Sequence, residues 1–279
     1  MGKLEGQIVI VTGASAGIGE AASHSIAREG ATVVISARRA DRLETLKRDI
    51  EAKGGRALSV VGDITSPSDR QQLVDETMRA FGRIDGLVNN AGYGQRGPIE
   101  MVPVETIRKN FETNLFSLIA LTQLVIPIMR SQRSGRIVNI SSVAGRIARP
   151  YSSVYDSTKH AVEAISDGLR GELAPFGIKV VIIEPGFIMT EFLGVATESA
   201  KEFVDEAGPY AEAMARGAKA VDRLRKMAGT PDEIAEVIFK ALSDSNPRAR
   251  YAAPGHAKFA LAVKRFLPAR LVDSVLNRG

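Results

Sequence analysis

The two residues whose types and spacing most directly suggest chemistry are Tyr155 and Lys159, at the ends of the segment Tyr155-Asp-Ser-Thr-Lys159. In a helix, residues four apart project from one face, so an ammonium group lies beside a phenol. The positive charge favours the ionised phenol, so we expect the pKa of Tyr155 to fall below its reference value of about 10, as a general acid and base requires. Ser142 follows a predicted strand and can donate a hydrogen bond to a substrate oxygen that gains negative charge. The three side chains predict interconversion of a carbonyl and an alcohol without a catalytic metal.

A nucleotide cofactor is predicted to bind at the segment Thr12-Gly-Ala-Ser-Ala-Gly-Ile-Gly19. This segment follows a predicted strand and opens a predicted helix, a context that favours a phosphate site over a simple tight turn. Its glycines (Gly13, Gly17 and Gly19) permit close approach of the backbone to a pyrophosphate. The free amide groups of a helix N-terminus stabilise the negative charge of that group.

Two arginines, Arg38 and Arg39, stand after the second predicted strand, where folds that bind NAD usually place a carboxylate. A guanidinium group can instead bind a 2′-phosphate through charge-assisted hydrogen bonds. We therefore predict NADP(H) as the cofactor, with Arg38 as the stronger candidate of the two and solvated side chains as the alternative. Asp63 follows the third predicted strand and is placed to meet the adenine edge.

Apolar runs of strand length alternate along the chain with segments of helical period. Strands are predicted at residues 8–11, 32–36, 57–61, 86–88, 136–140 and 179–183. Helices are predicted near residues 17–29, 41–52, 68–81, 104–130, 155–174 and 231–243. Continuous hydrophobic strands indicate a parallel sheet covered on both faces and joined by right-handed crossovers. We therefore predict an α/β fold, with a single domain built on a doubly wound (Rossmann-type) parallel sheet.

The catalytic domain is predicted to cover residues 1–245, including a polar insertion near 191–230 that we expect to act as a substrate lid. Residues 246–279 form a C-terminal extension with seven basic residues and one acidic residue, against a formal net charge of +5 for the whole chain. Apolar residues recur there at helical spacing between basic ones, which predicts a basic amphipathic helix. Its segment 255–278 is expected to contact a membrane surface, a partner subunit or the protein's own core. The basic residues form no continuous stripe on a helix or strand that could contact nucleic-acid bases, so no nucleic-acid partner is predicted.

Composition narrows the remaining classes of protein. The 279 residues contain no cysteine and only three isolated histidines, so we predict neither disulfides nor a metal site. A strand is predicted from residue 8, which leaves no room for a signal peptide before it, and we expect a cytoplasmic protein that can associate peripherally with a membrane. The apolar run 115–129 is shorter than the roughly 20 residues that span a bilayer, so a buried helix is expected there.

Taken in order, these motifs resemble the short-chain dehydrogenase/reductase family from residue 6 to about residue 244. The matching elements are Thr12-Gly-x-x-x-Gly-x-Gly19, Asn89-Asn-Ala-Gly92, Asn114, Ser142, Tyr155-x-x-x-Lys159 and Pro185-Gly186. The resemblance implies a dinucleotide site formed by Gly13, Ser15, Gly17, Ile18, Gly19, Asp63, Ile64, Asn90, Ala91, Gly92, Pro185, Gly186, Ile188 and Thr190. It also implies that Lys159 binds the nicotinamide ribose, that Tyr155 adjoins the cofactor, and that Asn114 holds a water linking Lys159 to solvent. Family members commonly pair through the long helices, which implies a homodimer or homotetramer, and the C-terminal extension is similar to that of steroid- and retinol-type members.

The substrate pocket is predicted to be mainly apolar. Its candidate residues are Tyr93, Gly94, Val143, Ala144, Phe187 and Phe192. Such a pocket suits a hydrophobic ketone, aldehyde or alcohol of a steroid-, retinoid- or lipid-like kind, although the lid aromatics can equally serve to pack the lid. The alternatives are a reductase of 3-ketoacyl groups on a carrier protein or coenzyme A, disfavoured by acidic residues in the lid, and a non-catalytic dinucleotide-binding scaffold.

Overall fold

One parallel sheet of seven strands organises the chain. The strands are β1 (Ile8–Thr12), β2 (Thr32–Ala37), β3 (Arg56–Val61), β4 (Gly86–Asn89), β5 (Gly135–Ile140), β6 (Ile178–Pro185) and β7 (Arg250–Ala253). Their order across the sheet is β3-β2-β1-β4-β5-β6-β7, so the winding direction reverses between β1 and β4. The computed structural model describes residues 2–201, 203, 208–225 and 227–276. The predicted doubly wound, single-domain α/β fold is confirmed.

Helices cover both faces of this sheet. They are α1 (Gly17–Arg28), α2 (Ala40–Ala52), α3 (Pro67–Phe81), α4 (Val104–Phe111), α5 (Ser117–Gln132), α6 (Ser153–Leu173), α7 (Glu191–Lys201), α8 (Ala211–Arg225), α9 (Pro231–Ser243), α10 (Gly255–Phe266) and α11 (Ala269–Leu276). Helices α1, α2 and α9 contribute to one buried hydrophobic core, and α3, α5 and α6 contribute to the other.

The burial of β1 explains why its sequence shows no alternation. Val9 and Val11 belong to the core on the α1 side, whereas Ile8 and Ile10 belong to the core on the α3 side. Each fully buried aliphatic side chain of this size contributes about 1.5–3 kcal/mol to folding. Both faces of the strand therefore require apolar residues, which is the reason that a continuous run indicates a covered parallel strand.

The segment Val104–Gln132 is one long helix in which a π-helical turn, Glu112–Phe116, joins α4 to α5. Among the described residues it is the one helix long and apolar enough to cross a membrane by length and composition. A core helix can meet the same criterion, and this segment packs against β4, β5 and α6. The π-helical turn carries Asn114, so the local change of helical pitch lies at a predicted site residue.

The sequence did not predict β7, and it gave no helices within the lid. β7 pairs with β6 through the registered pairs Ile183↔Tyr251 and Pro185↔Ala253, so the start of the C-terminal extension forms the edge of the central sheet. Four residues, one of them a charged arginine, are too few for a recognisable apolar run. The lid contains α7 and α8, and its residues 202, 204–207 and 226 lie outside the described part of the chain. The extension contains α10 and α11, and its residues 277–279 likewise lie outside the described part of the chain.

Candidate active site

The glycine-rich turn between β1 and α1 forms a cradle at the carboxyl end of the sheet. Gly13 and Gly17 have φ angles of +64° and +60°, which side-chain-bearing residues rarely adopt. A Cβ atom on Gly13 would lie 2.9 Å from the Cα of Ala91, and one on Gly19 would lie 2.4 Å from the carbonyl oxygen of Gly13. Helix α1 begins after Ala16, which gives it no side-chain cap, so its first amide groups are available to an anion. The cradle therefore fits the pyrophosphate of a dinucleotide.

Side-chain hydrogen bonds join this turn to the segment after β4. The hydroxyl oxygen of Thr12 accepts hydrogen bonds from the backbone N–H groups of Asn90 (3.0 Å) and Ala91 (3.1 Å). The Asn90 side-chain amide donates in return to the carbonyl oxygens of Thr12 (3.0 Å) and Gly13 (3.2 Å). The structure therefore brings together the glycine-rich segment and the segment Asn89-Asn-Ala-Gly92, and the side chain of Thr12, the first residue of the glycine-rich segment, joins them.

The two arginines after β2 lie in different surroundings. Arg39 donates to the hydroxyl oxygen of Ser15 from Nε (3.2 Å) and Nη2 (3.0 Å), and its Nη1 lies 2.9 Å from a carboxylate oxygen of Glu191 at the start of α7. Arg38 has a side chain 79% exposed, and its Nη1 lies 4.0 Å from Oδ2 of Asp63. Arg39 thus braces the glycine turn against the lid, while Arg38 presents its donors to solvent at the end of the sheet.

Asp63 is held in a local turn after β3. Its Oδ1 accepts hydrogen bonds from the backbone N–H of Thr65 (2.9 Å) and from the Thr65 hydroxyl (2.8 Å). The carbonyl of the neighbouring Ile64 accepts from Nη1 of Arg70 at 2.7 Å. Both predicted residues therefore have fixed backbone positions beside Arg38.

The segment after β6 closes the opposite side of the cradle. Thr190 lies against the glycine turn, since a Cβ atom on Gly17 would be 3.0 Å from Cγ2 of Thr190. Ile188 is buried and pairs through its backbone with Gly229, two residues before α9. The N–H of Gly186 donates to the carbonyl of Ala253 in β7 at 2.8 Å. β6, β7 and α9 together position the predicted residues from Pro185 to Thr190.

Asn114 connects the turn after β4 to the catalytic helix α6. Its Oδ1 accepts from the N–H of Tyr93 at 2.9 Å, and its Nδ2 donates to the Tyr93 carbonyl at 2.9 Å and to the Thr158 hydroxyl at 3.2 Å. A Cβ atom on Gly92 would lie 2.9 Å from Oδ1 of Asn114 and 3.8 Å from Nζ of Lys159, so these residues meet around one backbone position. The side-chain amide of Asn114 and the ammonium group of Lys159 therefore lie close together.

Ser142, Tyr155 and Lys159 converge at the centre of the site. Tyr155 and Lys159 are 8% and 5% exposed, and Nζ of Lys159 lies 5.8 Å from the Tyr155 ring centroid. The Lys159 ammonium donates a 2.8 Å hydrogen bond to the carbonyl of Ile140 at the end of β5. Ser142 follows that strand, and its Oγ accepts from the N–H of Ala144 at 3.1 Å while donating to the Pro185 carbonyl at 3.4 Å. A helix face and a strand end therefore bring the three predicted side chains together.

The predicted lowering of the Tyr155 pKa by Lys159 is wrong for this structure. Burial raises the pKa of Tyr155 to about 12, which outweighs the lowering by a hydrogen bond with Ser142 and by the charges of Arg149 and Arg96. Burial also lowers the pKa of Lys159 to about 8, with Glu163 acting in the opposite direction. Removing both groups from water penalises phenolate and ammonium alike, and this penalty exceeds the attraction inferred from their spacing.

An aromatic side chain of the lid lies against the catalytic tyrosine. The Phe192 ring of α7 packs edge-on against Tyr155 with centroids 5.4 Å apart. A Cβ atom on Gly94 would lie 3.0 Å from Cε1 of Phe192, so glycine permits this approach of loop and lid. Among the other residues predicted for the substrate pocket, Tyr93, Val143 and Phe187 are half-buried and Ala144 is fully buried.

Several residues that shape the site escaped the sequence analysis. Asp156 is fully buried beside Tyr155 and accepts hydrogen bonds from Nη2 of Arg149 at 2.6 Å and from the hydroxyl of Ser152 at 3.0 Å. Nε2 of His256 in α10 accepts from the N–H of Phe187 at 3.0 Å. The position of Asp156 between Tyr155 and Lys159 could have indicated that its carboxylate, and hence its pairing with Arg149, belongs to the site. Nothing in the sequence connects residues 187 and 256. Among the described residues, no three His, Asp or Glu side chains are arranged to hold a metal ion.

Comparison with protein-family models agrees with this geometry. The model of the short chain dehydrogenase family matches residues 7–201. The chain therefore belongs to the short-chain dehydrogenase family and is an oxidoreductase of a class that binds nicotinamide dinucleotides. A relative in Ornithobacterium rhinotracheale, an NADPH-dependent 3-dehydrocapnine reductase, is 34% identical over 96% of this chain and 95% of its own. A 3-ketodihydrosphingosine reductase of Bacteroides thetaiotaomicron is 30% identical over 88% of this chain and 86% of its own.

Solved structures share the fold over almost the whole chain. A short-chain dehydrogenase from Streptomyces avermitilis has a TM-score of 0.80 and 34% identity, covering 96% of this chain and 93% of its own. A metagenomic short-chain oxidoreductase crystallised with NADP has a TM-score of 0.72 and 26% identity, covering 90% of this chain and 98% of its own.

Proposed function

We propose that the protein is an NADP(H)-dependent oxidoreductase that interconverts a hydrophobic ketone or aldehyde and its alcohol, of a steroid-, retinoid- or lipid-like kind. The observation that carries this proposal is the convergence of Ser142, Tyr155 and Lys159 in a site shielded from water beside the glycine cradle. A shielded site strengthens electrostatic stabilisation of a substrate oxygen and limits loss of a reactive hydride to solvent.

The side chains divide the reaction between them. A bound nicotinamide dinucleotide supplies or accepts the hydride. Tyr155 gives its phenolic proton to the substrate oxygen in reduction and takes it back in oxidation. The Ser142 hydroxyl donates to the same oxygen. Lys159 binds the ribose, and its positive charge, 5.8 Å from the Tyr155 ring centroid, stabilises the phenolate that remains when Tyr155 gives up its proton. Asn114, which accepts a hydrogen bond from the N–H of Tyr93 and donates one to the hydroxyl of Thr158, supports Lys159 through a bridging water.

The residues after β2 support a preference for NADP(H). Arg38 has an exposed guanidinium group beside Asp63, where it can pair with a 2′-phosphate. Ser15 is braced by Arg39 at the entrance of the cradle. A relative named as NADPH-dependent supports this preference, whereas one structural neighbour was crystallised with NADP and another with NAD.

The hydrophobic substrate is inferred from the apolar cover of Tyr155. Phe192 lies against the catalytic ring, and three further residues predicted for the pocket, Tyr93, Val143 and Phe187, are half-buried. The two relatives are both named as reductases, one of them of a 3-keto compound, which supports the direction of reduction. The alternative is a reductase of 3-ketoacyl thioesters, and a non-catalytic scaffold is the remote alternative.

Turnover of a defined panel tests the proposal. Purified protein is titrated with NADPH and NADH, then assayed with hydrophobic ketones, alcohols and 3-ketoacyl thioesters. We expect NADPH to bind more tightly and bulky ketones to be reduced, with Tyr155→Phe losing at least about a hundredfold in kcat, as expected for a general acid. Full turnover by Tyr155→Phe contradicts the mechanism, and thioester preference establishes the alternative.

The C-terminal helices support a further proposal, peripheral contact of a cytoplasmic protein with a membrane surface through residues 255–278. Phe259, Phe266 and Leu271 are 71%, 81% and 53% exposed, and Lys264 and Arg265 lie beside them. Exposed apolar and basic side chains on one segment suit an anionic interface. Binding to anionic vesicles that weakens in high salt supports this contact, and equal recovery with and without lipid opposes it.

A further inference from the structure

Arg96 is a half-buried arginine near the catalytic tyrosine whose guanidinium group has no hydrogen bond or ion pair with any residue the structure describes. It belongs to the loop after β4. Two consecutive backbone hydrogen bonds hold the loop at this point. The Arg96 N–H donates to the Ser199 hydroxyl in α7 at 3.1 Å, and the Gly97 N–H donates to the Tyr151 carbonyl at 2.9 Å. The side chain thus projects from a well-anchored backbone.

The same loop forms part of the wall around Tyr155. Gly94 packs against Phe192, and the Phe192 ring packs against the Tyr155 ring. The positive charge of Arg96 lowers the pKa of Tyr155, as does that of Arg149. Arg96 therefore belongs to the loop that, together with Phe192, borders the candidate site at Tyr155.

The charges around Arg96 are unbalanced. Burial lowers the pKa of Arg96, and the neighbouring positive charge of Arg149 lowers it further, while Asp156 and Tyr155 act in the opposite direction. Asp156 is already paired with Arg149 through both carboxylate oxygens, at 2.6 and 3.2 Å. A half-buried cation without a partner among the described residues is costly, and an anion brought by a ligand would offset that cost.

We propose that Arg96 binds an anionic group of the substrate, so that the substrate is an anionic amphiphile with a hydrophobic body. This inference rests on the proposed function and narrows its substrate class. The planar fork of a guanidinium group matches two oxygens of one acidic group, which suits a carboxylate, a sulfonate or a phosphate. The apolar residues around Tyr155 then accommodate the hydrocarbon part, and Arg96 selects among hydrophobic ketones by charge.

The test compares long-chain ketones that differ only in one terminal group: uncharged, carboxylate, sulfonate or phosphate. With NADPH present, we expect KM at least about tenfold lower for the best anionic ketone, because a charge-assisted hydrogen bond is stronger than one between neutral groups. Arg96→Met should remove this difference while preserving turnover of the uncharged ketone, and Arg96→Lys should keep part of it. Arg79→Met, at an exposed position in α3, is the matched control and should leave every KM unchanged. The terminal group that gives the lowest KM identifies the class of acidic group that Arg96 binds.

A binding measurement separates this inference from the proposed function. Calorimetric titration of the protein with octanoate, octanesulfonate, octyl phosphate and octanol needs no turnover. Tighter binding of one anion than of octanol, lost in Arg96→Met, supports the anion site even if no ketone is reduced. Reduction of ketones with equal KM for charged and uncharged members overturns the inference and leaves the proposed function standing. An equal fall of kcat for all ketones in Arg96→Met, with a shift of the alkaline limb of the pH profile, also overturns it, because Arg96 would then act on Tyr155.

Discussion

The backbone N–H of Phe187 donates a 3.0 Å hydrogen bond to Nε2 of His256, which joins the segment after Pro185-Gly186 to the first turn of α10. The fit is close, since a Cβ atom on Gly186 would lie 2.5 Å from the same nitrogen. The extension beyond residue 245 is therefore part of the wall of the candidate cofactor site.

His256→Ala should weaken cofactor binding more than it slows turnover. Loss of a hydrogen bond worth about 1 kcal/mol frees the segment after Gly186, so we expect a severalfold higher KM for NADPH with a smaller change in kcat. Steady-state titration with NADPH measures both constants. Lys258→Ala, an exposed change in the same helix, serves as control. An unchanged KM in His256→Ala would show that the segment keeps its position without this bond.

Arg38 and Arg39 should differ in their effects on cofactor choice. Arg38→Ala removes an exposed guanidinium placed for a 2′-phosphate, so NADPH binding should weaken about ten- to a hundredfold with NADH binding unchanged. Arg39→Ala removes the brace between Ser15 and Glu191 and should weaken both cofactors to a similar extent. Fluorescence titration of both variants with both cofactors provides the four constants. The reverse pattern would assign the phosphate to Arg39.

The buried ammonium of Lys159 should make folding stability rise with pH. Because burial lowers its pKa from 10.5 to about 8, the unfolded chain binds more protons than the folded one between these values. The free-energy cost of burying a charged Lys159 in the folded state is present below pH 8 and is therefore lost as the pH rises from about 8 to 10. Tyr155, with a pKa raised to about 12, acts oppositely only above about pH 10.

Urea unfolding of the parent protein and Lys159→Met at pH 7 to 10 isolates this contribution. As the pH rises, the free energy of unfolding of the parent should increase relative to that of Lys159→Met by a few kcal/mol. The increase should be on the order of 1.4 kcal/mol for each pH unit between the two pKa values of Lys159. A difference independent of pH would show that Lys159 is not desolvated in the folded protein.

Arg250 should be essential for stability although it lies at the sheet edge. Its Nε lies 2.9 Å from Glu163 and 3.8 Å from Glu184, which are 5% and 3% exposed. Arg250→Met leaves two buried carboxylates without this partner, so we expect a loss of about 3–5 kcal/mol in the free energy of unfolding. The defect should shrink towards pH 5, because burial raises the pKa of Glu184 and this carboxylate then takes up a proton in the folded state. Arg248→Met, at an exposed position, is the control, and an equally stable Arg250→Met would show that water replaces the guanidinium.

Exposed apolar residues on the long helices predict a homo-oligomer. Val104, Phe116 and Ile165 are 61%, 50% and 36% exposed on α4, the π-helical turn and α6. Phe116→Asp should therefore lower the molecular mass measured by light scattering, whereas Phe259→Asp in α10 should leave it unchanged. The opposite result would place the subunit contact on the C-terminal helices, and a monomeric parent protein would refute the pairing itself.

The sequence by itself determined the doubly wound sheet and the motifs at its carboxyl edge. Strands covered on both faces must be apolar throughout, as in Val9, Ile10 and Val11, so their runs are visible without a structure. The glycines of the cradle are visible for a similar reason, because close backbone contacts exclude a Cβ atom at Gly13 and Gly19. The spacing of Tyr155 and Lys159 likewise fixes their shared helix face.

Only the tertiary structure decided the charges and contacts that come from distant parts of the chain. Desolvation of Tyr155 and Lys159 depends on what covers them, so spacing alone gave the wrong direction for the tyrosine pKa. The pairing of Phe187 with His256 and the unpaired state of Arg96 among the described residues depend equally on how loop, lid and extension pack. Such contacts leave no periodic signal, because packing between segments far apart in sequence is specified by the whole fold and not by local spacing.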